Sequence, residues 1–354
     1  MQNFRGLQQP TDRFIHLDNQ EYLFFGGTAY LGLLANPDYI ELYKKGIDLY
    51  GLNNGTSRSN NVQLGIYDAV EKRLAERFGF ESSAILSSGY LAAQAAVLSL
   101  IGNKKVYYAP ETHPSLWFNG NPQVAGNFLD WAISVVQEIN SSTERAFVVV
   151  SNALDNLKPE HYDFSVFQSI DSDKHVLFIL DDSHGIAVVN RDAISVDLTF
   201  AQHHENLDFV VLASLAKGLG TDAGVVLGNR QYIDQVKSHP IFMGASPSSP
   251  AAMHALLHGD SIYHQAFGKL EANRAYFKSA LEVCDKEFHS CADFAVFTLK
   301  DAGLYRFLLQ NNVLISSFPY PLPHSPLLNR IVISSLHEQE DLDKVAELCR
   351  NRSV

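Results

Sequence analysis

The feature that most limits how this chain can fold is a series of short, almost wholly apolar runs separated by helix-like stretches. Ala84–Leu86, Lys105–Tyr108, Ala146–Val150, Val176–Leu180, Phe209–Leu212 and Gly224–Leu227 are each bounded by Gly or polar residues. Runs that are apolar throughout, rather than alternating, fit strands buried on both faces, and helical patterns such as Leu91–Ile101 lie between them. The alternation predicts an α/β architecture of three layers, with a mostly parallel central sheet between helices. Upstream, Asp38–Leu49 and Ile66–Phe78 read as helices flanking a Gly-, Asn- and Ser-rich loop at Gly51–Asn61.

The pattern changes after about residue 250. Ala251–Val283 reads as one long helix with room for a kink, followed by strands at Ala295–Leu299, Val313–Phe318 and Arg330–Ser335 and helices at Tyr305–Gln310 and Gln339–Arg350. The expected division is an N-terminal arm (1–37, with a strand at Glu21–Phe25), a large domain (38–260) and a small C-terminal α+β domain (261–354). With 354 residues, 46% of them hydrophobic and 19% charged, the chain can bury a sizeable core in two such domains.

Charge narrows the ligands. The formal net charge is −12, and the paired lysines Lys44-Lys45 and Lys104-Lys105 stand isolated. Such a chain repels nucleic acid and anionic membrane, so an anionic ligand has to be held by local geometry. No apolar run approaches the length of a membrane span. Cys284, Cys291 and Cys349 form no CxxC and no even framework, and Met1–Asp18 has no apolar signal core. These features lead us to expect a cytoplasmic location.

In α/β sheets ligands bind beyond the carboxyl ends of strands, so the residues just after each apolar run matter most. Ser87-Ser88-Gly89-Tyr90 opens a helix after a strand; free N–H groups and the helix dipole suit an anion there, although an ordinary N-cap has the same look. His113 follows the run ending at Tyr108 and is placed to stack on a planar group, or to be a loop histidine with no role. Asp181-Asp182-Ser183-His184 ends the most apolar run; it suits a carboxylate paired with a ring N–H, a metal site, or a hydrogen-bonded strand end. Ser214-Leu215-Ala216-Lys217-Gly218 follows another run, where a shielded lysine becomes a nucleophile and Ser214 can reach a phosphate; the plain alternative is a surface lysine.

Taken together, the order is informative. A phosphate cradle, a ring-stacking histidine, a strand-end carboxylate and a later lysine are what pyridoxal 5'-phosphate (PLP) requires. Lys217 would carry it as a Schiff base, and no metal is called for.

The chain also resembles the α-oxoamine synthase family of fold-type I PLP-dependent enzymes from about Tyr22 to Arg350. The resemblance rests on Ala29-Tyr30-Leu31-Gly32-Leu33, Gly55-Thr56-Ser57-Arg58, Ser88-Gly89-Tyr90, Thr112-His113-Pro114-Ser115-Leu116, Asp181-Asp182-Ser183-His184-Gly185 and Ser214-Leu215-Ala216-Lys217-Gly218-Leu219-Gly220. It implies that Lys217 binds the cofactor and that Asp181 pairs with the pyridine nitrogen. It further implies that His184 contacts the phenolic oxygen, that His113 stacks on the ring, and that Ser88, Gly89, Tyr90 and Ser214 hold the phosphate. Ser246 would reach the neighbouring subunit's phosphate in a homodimer with interface active sites. The implied reaction condenses an amino acid with an acyl-CoA or acyl-carrier thioester and releases carbon dioxide.

The chain departs from the family pattern at Asn152, where an acidic residue is usual, and near Thr28, where an asparagine is. A substrate-binding arginine is usual at Ser316-Ser317-Phe318-Pro319, so either the substrate lacks the usual carboxylate or another cation such as Arg58 or Arg330 holds it. Phe242, Met243, Phe318 and Tyr320 are candidates for an apolar pocket or for ordinary core. Alternative readings are an aminotransferase on the same fold, a serine acyl hydrolase built on Ser214-x-x-Lys217, and a catalytically silent binding module.

Overall fold

The computed structural model of the protein describes residues 4–282, 288–299, 301, 303–319, 322, 324–325 and 327–352. The chain opens with a hairpin of β1 (Phe14–Leu17) and β2 (Gln20–Phe25). Its turn holds Asp18 and Asn19 at φ 52° and 61°, the left-handed region that short polar side chains tolerate. Next come α1 (Pro37–Tyr50) and α2 (Ile66–Phe78); α1 starts where the Asn36 side chain accepts from the N–H groups of Asp38 and Tyr39, with Pro37 in the first turn. The large unit continues with β3 (Ser82–Leu86), α3 (Gly89–Leu100), β4 (Lys105–Tyr108), α4 (Phe128–Ser141), β5 (Ala146–Asn152) and a two-residue ladder of β6 (Leu154–Asp155) and β7 (Glu160–His161). Then follow β8 (His175–Asp181), β9 (Leu207–Ser214), the single turn α5 (Leu215–Gly218), β10 (Gly224–Gly228), α6 (Arg230–Ser238) and α7 (Pro240–Gly244). The C-terminal part holds α8 (Pro250–His258), α9 (Asp260–Glu282), β11 (Val296–Thr298), α10 (Leu304–Gln310), β12 (Val313–Pro319), β13 (Leu327–Val332) and α11 (Gln339–Asn351).

The central sheet has six strands in the order β3-β10-β9-β8-β5-β4. Its ladders from β4 through β5 and β8 to β9 are parallel, and β10 runs antiparallel to both neighbours. Successive side chains of a strand point to opposite faces, and here both faces are covered. Phe147, Val149, Phe178 and Leu180 enter one core, while Val148, Val150, Leu177 and Ile179 enter another against α3 and α6. This double coverage is why the strands read as continuous apolar runs.

The second sheet has the order β1-β2-β12-β13-β11. Two strands of the segment expected as an arm therefore lie in the C-terminal sheet, with β2 parallel to β12. The expected single helix at Ala251–Val283 is two helices that break at Gly259, where a Cβ would sit 2.9 Å from the Ala255 carbonyl oxygen; Val283 lies outside the described residues. The third expected strand, Arg330–Ser335, is shifted towards the N-terminus, to Leu327–Val332. No helix among the described residues is long and apolar enough to cross a membrane.

Candidate active site

Sheet register gathers the residues singled out in the sequence. Asn152 pairs with Asp181, Asp181 with Leu212, and Gly224 with both Ser214 and Leu86, so the turns after β3, β5, β8 and β9 open at one edge. Two close approaches draw the first and last of these turns together. A Cβ on Gly89 would meet the Ser214 Cβ at 2.4 Å, and one on Gly224 would meet the Ser88 carbonyl oxygen at 2.2 Å, so a larger residue at either place would push the turns apart. Ser88 caps α3, its hydroxyl accepting from the Leu91 N–H at 3.2 Å. The first-turn N–H groups of that helix have no intrahelical acceptor, which makes the turn an anion site.

Lys217 projects from α5 into a largely enclosed space. Its Nζ lies 3.0 Å from His184 Nε2, and His184 Nδ1 lies 2.9 Å from the Tyr30 hydroxyl. Arg330 donates to the same hydroxyl at 3.4 Å. Burial pushes the Lys217 amine down to about 8; Asp181 opposes this and the Arg330 charge reinforces it. Burial likewise drives His184 well below its ordinary value, helped by the cations Lys217 and Arg330. These surroundings favour the neutral imidazole.

The strand-end carboxylates divide their work. Asp182 is buried, accepts from the backbone N–H and hydroxyl of Ser195, and is raised by burial to about 7. Asp181 accepts from the Ser183 N–H at 2.9 Å and faces Lys217 and His113 electrostatically. His113 is lowered first by burial, with Asp181 opposing and Lys217 adding. Its Nδ1 accepts from the Ser115 N–H at 3.1 Å, so the ring proton sits on Nε2. Asn152 braces this loop. Its Oδ1 accepts from the His113 N–H at 3.1 Å and its Nδ2 donates to the Glu111 carbonyl at 2.7 Å, holding Glu111 at a strained φ of 57°.

Of the residues named from sequence, Lys217, Asp181, His184, His113, Ser88, Gly89 and Ser214 converge. Tyr90 is 59% exposed, and Ser246 is exposed two residues before Ser248, whose hydroxyl donates to the Leu86 carbonyl. Lys217 is partnered by His184 rather than by Ser214, which argues against the Ser-x-x-Lys hydrolase reading. Arg58 is engaged elsewhere, 2.8 Å from buried Glu71 and stacked over Tyr67 and Phe242. Arg330 is the cation that reaches the site. It pairs with Ser316 across the β12–β13 ladder, so the positive charge missing from Ser316-Ser317 arrives one strand over. Its Nε has no hydrogen-bond partner among the described residues although Arg330 is only 4% exposed.

Tyr30 was visible in the sequence only as part of a matching segment. An apolar cavity was missed altogether. It has a volume of about 480 Å³ and is lined by Leu33, Leu34, Tyr39, Ile40, Ile47 and Ala216. A smaller cavity of about 250 Å³, lined by Gly27, Thr28, Ala29 and His337, also touches Ala216, the neighbour of Lys217. Phe242 is core beneath Arg58, Met243 and Phe318 are exposed, and Tyr320 lies outside the described residues.

This sheet, with a lysine after one strand and a carboxylate at the end of its neighbour, has the fold-type I architecture of PLP-dependent transferases. In sequence the chain is similar to proteins named 8-amino-7-oxononanoate synthase and serine palmitoyltransferase. It is 24% identical over 259 residues to 8-amino-7-oxononanoate synthase of Aliivibrio fischeri, covering 71% of this chain and 66% of that protein. It is also 24% identical over 369 residues to the enzyme of that name from Fervidobacterium nodosum, covering 96% and 91%. Among solved structures, a serine palmitoyltransferase from S. paucimobilis with bound PLP-myriocin aldimine superposes with a TM-score of 0.82 at 16% identity, covering 97% of this chain and 90% of that one. No family model matches the chain.

Proposed function

We propose that the protein is a PLP-dependent acyltransferase that joins an amino acid to an acyl thioester with loss of carbon dioxide. The observation that carries this reading is the enclosed Lys217 amine, lowered to about 8 and facing Asp181, His184 and His113 beside an open helix N-terminus. The donor set fits the cofactor. An anion turn at Ser88-Gly89 with Ser214 suits the phosphate, an amine suits the carbonyl, a carboxylate suits a ring N–H, and a neutral imidazole suits a phenolic oxygen.

Bound there, PLP supplies an electron-withdrawing ring that stabilises negative charge at the α-carbon of an amino acid. The chain's own residues do the rest. Lys217 would offer a neutral amine to the cofactor carbonyl and would be the base placed to take and return a proton at the α-carbon. Asp181 would keep the ring nitrogen protonated, His184 would face the phenolic oxygen, and His113 would cover one ring face. Arg330, its Nε unpartnered, receives the substrate carboxylate as a charge-assisted pair. The apolar cavity beside Ala216 suits the acyl chain. The same proposal assigns the cofactor to residues 38–260 and carboxylate recognition to 261–354.

We also read the chain as a cytoplasmic homodimer. Exposed Leu34, Ile40, Ile47 and Leu52 and the open side of the Ser88 turn support a second copy closing the site; light scattering after gel filtration measures it.

The test of the function is to load the protein with PLP, add a panel of amino acids with an acyl-CoA, and measure free CoA thiol together with carbon dioxide. Coupled release of both with one amino acid is expected. Pyridoxamine phosphate without CoA release would replace this reading by an aminotransferase.

A further inference from the structure

Four side chains run in a line from the C-terminal sheet to the reactive amine: Arg330, Tyr30, His184 and Lys217. Resting on the functional reading above, we propose that Tyr30 is a positioning residue that fixes the tautomer of His184 and thereby makes Lys217 present its lone pair rather than a proton.

The direction of every bond in the line follows from what each group can do. A guanidinium only donates, so the Tyr30 oxygen accepts from Arg330. The phenol is fully buried, and among the described residues its O–H faces no acceptor other than His184 Nδ1 at 2.9 Å. Pointing that hydrogen elsewhere would leave a buried donor unsatisfied, at a cost of about 1–3 kcal/mol. The hydrogen therefore goes to Nδ1, which makes Nδ1 an acceptor. A neutral imidazole with Nδ1 accepting carries its proton on Nε2, and that N–H points at Lys217 Nζ, 3.0 Å away. An ammonium there would set donor against donor, whereas a free amine accepts.

The surrounding charges act in both directions. Arg330 on β13 disfavours the ammonium, as does enclosure; Asp181 at the end of β8 favours it; neutral His113 faces the same space. Tyr30 adds a directional bond that none of these supplies. The line also couples substrate to amine, because a carboxylate docking on the unpartnered Nε of Arg330 cancels the charge facing Lys217.

The experiment uses the full chain after removal of cofactor, as wild type and Tyr30→Phe. Tyr39→Phe is the control, since it deletes another buried phenol whose bonds run to Leu219 O, Thr221 and Tyr263 rather than to His184. Acylation of Lys217 by a limiting amine reagent is followed across pH by peptide mass spectrometry, and the His184 tautomer is read by nitrogen-15 NMR. Wild type should show the proton on Nε2. Tyr30→Phe should move it to Nδ1 and raise the labelling midpoint by about one pH unit, a roughly tenfold loss of labelling at neutral pH. Tyr39→Phe should do neither. An Nδ1-protonated wild-type ring, or a midpoint that Tyr30→Phe leaves in place, overturns the proposal. Failure of the PLP reading would appear separately, as no borohydride-trapped cofactor on wild-type Lys217, and leaves these two readouts intact.

Discussion

Two histidines in this molecule are driven in opposite directions, and their surroundings explain why one cluster is reactive and the other is a clasp. His184 sits between Lys217 and Arg330 in an enclosed space, so burial and cations both expel its proton. His161, on β7, meets Asp293 and Cys291 where the chain enters the C-terminal sheet, and its side chain keeps 35% of its exposure. There the Asp293 hydrogen bond raises it to about 10, with Cys291 adding and burial opposing. The same side chain is a neutral hydrogen-bond relay in one place and half of an ion pair in the other. Burial among cations keeps one imidazole neutral; at the other, a hydrogen-bonded carboxylate outweighs burial and keeps it charged.

The largest expected effect is at the enclosed cluster. Lys217→Ala should abolish the yellow, borohydride-reducible cofactor adduct while leaving the far-ultraviolet circular dichroism unchanged, because the substitution deletes the amine and no core contact. A reducible adduct surviving in that variant would move the reactive amine elsewhere. Next, Asp181→Asn should keep PLP bound but slow exchange of the α-proton of a bound amino acid by on the order of 100-fold, since a neutral amide cannot hold the ring proton. Exchange at the wild-type rate would remove Asp181 as the pyridine partner.

A smaller effect sharpens the comparison through pH. With Lys217 lowered from 10.5 to about 8, its neutral fraction at pH 7 is roughly 300-fold larger than for an ordinary lysine. The rate at which the cofactor-free protein captures PLP should therefore rise with pH and level off above about 8. Stopped-flow absorbance measures it, and a rise continuing towards pH 10 would mean that the enclosure is not what sets the amine.

How much of this could be read from the sequence follows the same physics. The apolar runs predicted the strands because both sheet faces are covered, and strand ends such as Asp181 and Ser214 carry local signals. The reversal of β10 carries none: an antiparallel strand buried on both faces is as apolar as a parallel one. Gly224, whose closeness to the Ser88 carbonyl depends on that reversal, looked like an ordinary strand start. The contact between Tyr30 and Arg330 escaped for a related reason. They lie 300 residues apart and meet only because β2 joins β12 and β13 in one sheet, a pairing that no local pattern announces. Local pattern left Asp181 and Asp182 equivalent and only the family resemblance chose Asp181; in the structure Ser195 occupies the second.

The smallest prediction concerns the clasp. His161 is raised in the folded chain from 6.5 to about 10, so its ion pair contributes stability that is fully present below about pH 6.5 and is lost as pH rises through about 10. The lower limit is set by Asp293, which the same bond lowers and which must stay ionised. Because the pair is partly exposed, solvent screening keeps its worth under about 1 kcal/mol. His161→Ala should thus lower the urea midpoint slightly at pH 6, less at pH 8 and not at all above pH 10, with PLP capture unchanged throughout. A loss that persists above pH 10 would mean that packing of the imidazole, and not its charge, ties β7 to the segment before β11, and the contrast between the two histidines would then be one of position alone.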